Sequence, residues 1–102
     1  MSFSLTQEAE EDLINIAEKG LELFGERQAR FYHNALYDLF GVLSENPKMA
    51  RERSELSPPV RVHPFKTHVV IYQIKGDDIL IIRVRHGRED WLASPVDPSK
   101  QA

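Results

Sequence analysis

Arginine and histidine gather in two stretches of this chain. Arg61 and His63 lie in Val60-Arg-Val-His-Pro-Phe65, and Arg83, Arg85, His86 and Arg88 lie in Ile79-Leu-Ile-Ile-Arg-Val-Arg-His-Gly-Arg88. Guanidinium groups bind carboxylates or phosphates through paired N–H donors, and an imidazole takes up a proton near neutral pH. The chemistry on offer is anion binding, with His86 available as a general base. Other chemistries lack their residues. The chain has no cysteine, which excludes disulfides and thiolate metal sites. His33, His63, His68 and His86 show no ligand spacing, so neither a metal nor a cofactor is expected. The sequence holds no Gly-rich phosphate loop and no nucleophile elbow. The paired acids near the N-terminus fall on one exposed helix face, without the cleft that acid–base work needs.

Strands must position these cations. Val60–Phe65, His68–Lys75 and residues 79–86 are each strand-length and rich in β-branched or aromatic residues. The links between them are short, and the second is a Lys75-Gly-Asp-Asp78 turn, so the three read as an antiparallel meander. Side chains alternate across a strand. Strict alternation puts Leu80, Ile82 and Val84 on the core face, with Val60 and Val62 of the earlier strand. It turns Arg61, His63, Arg83 and Arg85 out on an open, cationic face. A solvated sheet face carries polar residues in any case, so this patch is as compatible with plain solvation as with binding.

Two helices supply the other layer. Phe3-Ser-Leu5 reads as a short first strand, Thr6 as a helix N-cap, and Gly25 as the stop of a helix ending at Phe24. Leu5, Ala9, Leu13, Ile16, Ala17, Leu23 and Phe24 fall on one side of it, and Glu8, Glu11, Asp12, Glu18 and Glu22 on the other. A second helix over residues 26–43 shows a wide apolar arc from Ala29 to Leu43, with His33 and Tyr37 on its polar side, and ends at Asn46-Pro47. So short a link makes an antiparallel hairpin, and the arc is wide enough to need the sheet as a third layer. Residues 47–59 read as a polar, basic connection.

The expected fold is therefore α+β, in the order β-α-α-β-β-β, with the helical hairpin on one face of a mainly antiparallel sheet. The domain spans residues 1–91, and residues 92–102 form a flexible tail. At 102 residues there is room for one modest core, and 41% hydrophobic with 28% charged residues is ordinary for a soluble domain. No stretch is long or apolar enough to span a membrane, and no signal peptide opens the chain, so the cytoplasm is the expected compartment. Net charge is −3, but residues 1–47 hold 9 acids against 3 bases while residues 48–91 hold 9 bases against 6 acids. That basic excess is smaller than a dedicated nucleic-acid binder shows, and sequence-specific DNA binding is not expected.

Taken in order, Thr6-x-x-Ala9-x-x-Asp12-Leu13-x-x-Ile16, Phe24-Gly25-x-x-Gln28-Ala29-x-x-Tyr32, Leu43-x-x-Asn46-Pro47, Arg61, His68-Val-Val-Ile-Tyr72 and Ile82-Arg83-Val84-x-His86-Gly87-Arg88-x-Asp90-Trp91 resemble the ParE branch of the ParE/RelE toxin superfamily. The resemblance covers residues 3–91. It implies a toxin of a type II toxin–antitoxin system that inhibits DNA gyrase by protein–protein binding. It also implies neutralisation by a ParD-like antitoxin in a hetero-oligomer. On that reading no residue is catalytic, and Arg61, His63, Arg83, Arg85, His86, Arg88 and Trp91 are expected to engage the target. Ile14 and Leu21, at the edge of the first helix's arc, with His33, Tyr37, Arg61 and Arg83, are expected to meet the antitoxin. A RelE-like ribosome-dependent mRNA endonuclease is the alternative, with Arg61, Arg83 and His86 as its catalytic set. Asp90-Trp91 stands where that branch would carry a Tyr or His. A third reading is a non-toxic module that only binds an antitoxin.

Overall fold

The computed structural model describes residues 2–88 and Trp91. The elements are β1 (Phe3–Leu5), α1 (Gln7–Phe24), α2 (Glu26–Glu45), β2 (Glu52–Arg53), β3 (Val60–Phe65), β4 (His68–Lys75) and β5 (Asp78–His86). The expected 92–102 tail lies outside the described residues.

Local chemistry sets the helix boundaries. The hydroxyl of Thr6 accepts the Ala9 N–H at 3.0 Å, so α1 starts with one of its orphan donors satisfied. The same hydroxyl donates to the Ile82 carbonyl at 2.7 Å, which fixes the helix to the sheet as well as capping it. Gly25, at φ 89°, ends α1 and starts α2, a backbone region that L-residues avoid. Helix α2 runs to Glu45, two residues beyond the sequence expectation, and the Asn46 side chain closes it on the Val42 carbonyl at 3.0 Å.

The sheet has five strands in the order β1-β5-β4-β3-β2, with β1 parallel to β5 and the other pairs antiparallel. The β-α-α-β-β-β order holds, with one addition. Glu52–Arg53, inside the stretch expected as a plain connection, pairs with β3 as an edge strand. The helical hairpin rests mainly on β1 and β5. Ala9, Leu13, Leu36, Phe40 and Leu43 close from above on Val70, Tyr72, Ile79, Ile81 and Val84. Phe3 of β1 joins them, its ring 5.4 Å from that of Phe40.

Strict alternation fails in β5. Tyr72 pairs with Ile81 while Ile71 pairs with Arg83, so Ile82 is an extra residue in a bulge. Ile79, Ile81 and Val84 are therefore the core-facing residues, at 1%, 0% and 3% exposure, and Leu80 and Ile82 are only half-buried. The strand β3 is reversed as well. Arg61 lies opposite Tyr72 and His63 opposite Val70, which puts both on the helix side of the sheet, with Val62 opposite Ile71 on the other. The open cationic face expected from alternation does not form. Among its four residues, Arg83 and Arg85 are buried and Arg61 and His63 half-buried.

Candidate functional site

Two of the expected site arginines, Arg83 and Arg61, hold the fold together. Arg83 donates from Nε and Nη2 to the two carboxylate oxygens of Asp12, at 2.7 and 2.9 Å. One of those oxygens also accepts the Val84 N–H at 3.0 Å, on the stretch of β5 edge that β1 leaves uncovered. The guanidinium thus turns over the sheet edge and ties it to α1. Arg85, opposite Val69, is 1% exposed. Arg61 donates to the Ala50 carbonyl at 2.6 Å, beside Tyr72, whose hydroxyl donates to the Pro47 carbonyl at 2.9 Å. Together they pin residues 46–50 to the end of the sheet. Burial holds the Tyr72 phenol above its ordinary 10.0, opposed in part by the Ala50 backbone and the Arg61 charge.

The set Arg61, Arg83 and His86 does not converge. In register, Arg61 sits across from Tyr72, and His86 across from His68, four residues along β4. That separation is roughly 13 Å at strand rise. Arg83 belongs to the other face and is engaged at the edge. Arg88 is exposed and Trp91 half-buried. Among the described residues, no three acids or histidines gather where a metal could be held, and no helix is long and apolar enough to cross a membrane.

What the fold does assemble is a groove of about 670 Å³ between the two helices, closing on the turn from β3 to β4. Leu13, Ile16 and Ala17 of α1 and Ala29, Tyr32 and Leu36 of α2 line it. Leu23, Phe24 and Phe31 stand at its hairpin end, 60%, 67% and 65% exposed. They belonged to the expected apolar arcs, but the sheet does not reach them. The two helices come close here at Gly20 and Ala29, where a Cβ on Gly20 would meet the Ala29 Cβ at an ordinary contact distance of 3.5 Å.

The other end of the groove is polar. The Tyr32 hydroxyl and His68 Nδ1 are 2.6 Å apart, and the His68 and His86 rings meet edge to face at 5.3 Å. His86 Nδ1 accepts the Arg88 N–H at 3.1 Å, and Lys66 and Thr67 complete the wall. This is the geometry of a binding surface with an apolar floor and donors at one end. It joins two residues named from sequence as site residues, His86 and His33, with Tyr32, Lys19, Lys66 and His68, which were not. The turn register alone would pair His68 with Arg85; the bulge at Ile82 shifts the pairing by one and brings His86 opposite His68, so this contact was not legible from the turn.

The residues expected to meet an antitoxin divide into separate places. Ile14 and Leu21, seven positions apart on α1, are 57% and 54% exposed and do not line the groove. His33 lines the groove, and its ring is 4.8 Å from that of Tyr37. Tyr37 in turn packs on Phe40 and Phe3 at 5.3 and 6.0 Å, more core cover than polar surface.

Comparison with known proteins agrees with this architecture. The family described as ParE toxin of type II toxin-antitoxin system, parDE, matches residues 3–91. Toxin ParE3 of Caulobacter vibrioides is 32% identical over 82 residues, covering 80% of this chain and 82% of that protein. A solved structure of the chromosomal ParDE TA system from P. aeruginosa superposes with a TM-score of 0.73 at 23% identity, covering 84% of this chain and 95% of that one. The helical hairpin on a mixed sheet and the match across nearly the whole domain lead to one assignment: the chain belongs to the ParE toxin family of type II toxin–antitoxin systems.

Proposed function

We propose that this protein is a toxin that inhibits DNA gyrase by binding it, without chemistry of its own, and that a ParD-like antitoxin neutralises it. The observation that carries the reading is the match to the ParE toxin family over residues 3–91. The geometry supports it against the nuclease alternative. In-line cleavage of RNA needs a base and cations around one phosphate, whereas Arg61, Arg83 and His86 sit at separate places with two of them engaged by Ala50 and Asp12. An antitoxin partner is supported by the ParDE system among the structural relatives and by the exposed apolar surface of the hairpin.

Purified protein should abolish supercoiling by gyrase, accumulate broken DNA and leave ribosome-bound mRNA intact. Site-specific mRNA cuts that vanish in His86→Ala would overturn the proposal. A protein that does neither, yet binds the antitoxin encoded beside it, would be the non-toxic module.

A further inference from the structure

Two polar side chains of the sheet direct their hydrogen bonds to one surface turn. Tyr72, fully buried, donates to the Pro47 carbonyl at 2.9 Å, and half-buried Arg61 donates to the Ala50 carbonyl at 2.6 Å. The turn closes on itself through the Met49 N–H and the Asn46 carbonyl at 2.9 Å. Asn46 is joined to the end of α2 by its backbone and by its side chain. Water satisfies the carbonyls of an ordinary surface turn, so such fastening is not needed for folding alone. What the fastened turn presents is apolar. Met49 is 49% exposed, and Val42, one helical turn before Asn46, is 46% exposed. Lys48 and Arg51 stand beside Met49, exposed and in no salt bridge among the described residues, whereas Arg53 is taken by Glu55 at 2.6 Å.

We propose that this turn is a contact surface for the protein target, with Met49 as the anchor side chain and Lys48 and Arg51 facing carboxylates around the pocket that receives it. The inference rests on the gyrase reading for the identity of that target. Three features set the partner's chemistry. A methionine side chain is unbranched and polarizable, so it fits itself to an apolar recess and gains by leaving water. An anchor binds best when little remains to be ordered, and Tyr72 and Arg61 have already fixed the backbone that carries Met49. The cations flank the anchor, which suits a recess rimmed by acids. They do not make a track for nucleic acid, because Glu45 and Glu52 are exposed beside them and would meet the phosphates. The turn shares no residue with the groove between the helices, so a substitution here leaves that groove unaltered.

The test uses the full chain and gyrase holoenzyme in a supercoiling assay. Met49→Ser and Lys48→Glu change side chains already in water and should leave the thermal melt unchanged. Each should raise the inhibitory concentration about tenfold, and Met49→Leu, which keeps an apolar anchor of similar size, should restore most of the inhibition. Met49 is the one methionine after Met1, so methyl labelling of methionine gives a single internal probe, assigned by its loss in Met49→Ser. Its signal should shift and broaden when gyrase is added. Parent-level inhibition by either folded variant would overturn the proposal, as would a Met49 methyl signal that gyrase leaves unchanged. So would binding to a short DNA duplex that Lys48→Glu abolishes, since the turn would then be reading phosphate. A parent protein that fails to inhibit gyrase sinks the gyrase reading and this assignment with it, whereas parent inhibition with indifferent variants sinks only the turn.

Discussion

Arg83 and Asp12 form a two-point ion pair across the sheet edge, with Nε and Nη2 on the two carboxylate oxygens at 2.7 and 2.9 Å. Their side chains are 9% and 13% exposed, so both charges have left water and depend on each other. The carboxylate also takes the Val84 N–H, which leaves α1 and β5 tied at one point. Strand alternation points Arg83 to solvent, where a substitution costs about 0.5 kcal/mol or less. The structure reverses that expectation.

Arg83→Ala should therefore destabilise the protein by about 3 kcal/mol, since removing one partner strands a buried charge. Asp12→Asn should cost a similar amount. In urea unfolding the double change Asp12→Asn with Arg83→Ala should cost clearly less than the sum of the single changes. Additive losses would mean that the pair contributes nothing as a pair. Any toxicity lost in Arg83→Ala must then be compared at equal folded fraction before it is assigned to target contact.

Thr6→Ala removes an N-cap acceptor and the tie to the Ile82 carbonyl together. A cap alone is worth about 1 kcal/mol, and the second hydrogen bond adds about as much again. Thr6→Ser keeps both groups and should recover most of the stability in the same thermal melt. A Ser variant as unstable as the Ala variant would put the effect on the threonine methyl.

Alkaline titration reads the clamp on residues 46–50. The phenol of buried Tyr72 is raised above 10.0 chiefly by desolvation. A raised folded value means that the folded state holds its proton longer than the unfolded state. The contribution is fully present below pH 10.0 and is lost as pH rises through the folded value. The free energy of unfolding should fall over that window. Tyr72→Phe should flatten the fall while costing about 1 kcal/mol at neutral pH, through loss of the Pro47 hydrogen bond. An unchanged alkaline slope in Tyr72→Phe would assign the decline to other groups.

These cases show what the sequence could and could not carry. Thr6, Gly25 and Asn46 mark helix ends by local chemistry, and all three act there. The hairpin turn from Lys75 to Asp78 and the amphipathic arc of α1 as far as Ile16 are equally local. The bulge at Ile82 is not, because two-residue alternation continues unbroken through Ile79-Leu-Ile-Ile-Arg and gives no sign of an extra residue. That single insertion moved Ile79 and Ile81 into the core. The sides of β3 depend on its pairing with β4, so Arg61 and His63 were misplaced too. A charged residue inside an apolar strand did hold a usable signal, since buried arginine calls for a carboxylate. Asp12 was the acid nearest the core edge of α1. The groove's wall draws on α1, α2, β4, β5 and the Lys66–Thr67 turn, and only the folded chain brings those residues together.

Leu21→Glu addresses the remaining surface. Leu21 is 54% exposed and lies with Ile14 on a side of α1 that the groove does not use. Placing a carboxylate there costs little folding energy, because the side chain is already largely in water and the helix tolerates glutamate. On the antitoxin reading, this apolar edge is a contact that a wrapping segment can cover. Leu21→Glu should then weaken antitoxin affinity by about tenfold while leaving the melting temperature near that of the parent, about 1.4 kcal/mol of binding energy for one buried leucine. Isothermal titration of the variant against the antitoxin reads this directly. Unchanged affinity in a folded Leu21→Glu protein would remove the helix edge from the interface and leave the groove and the exposed strand edge to hold the partner.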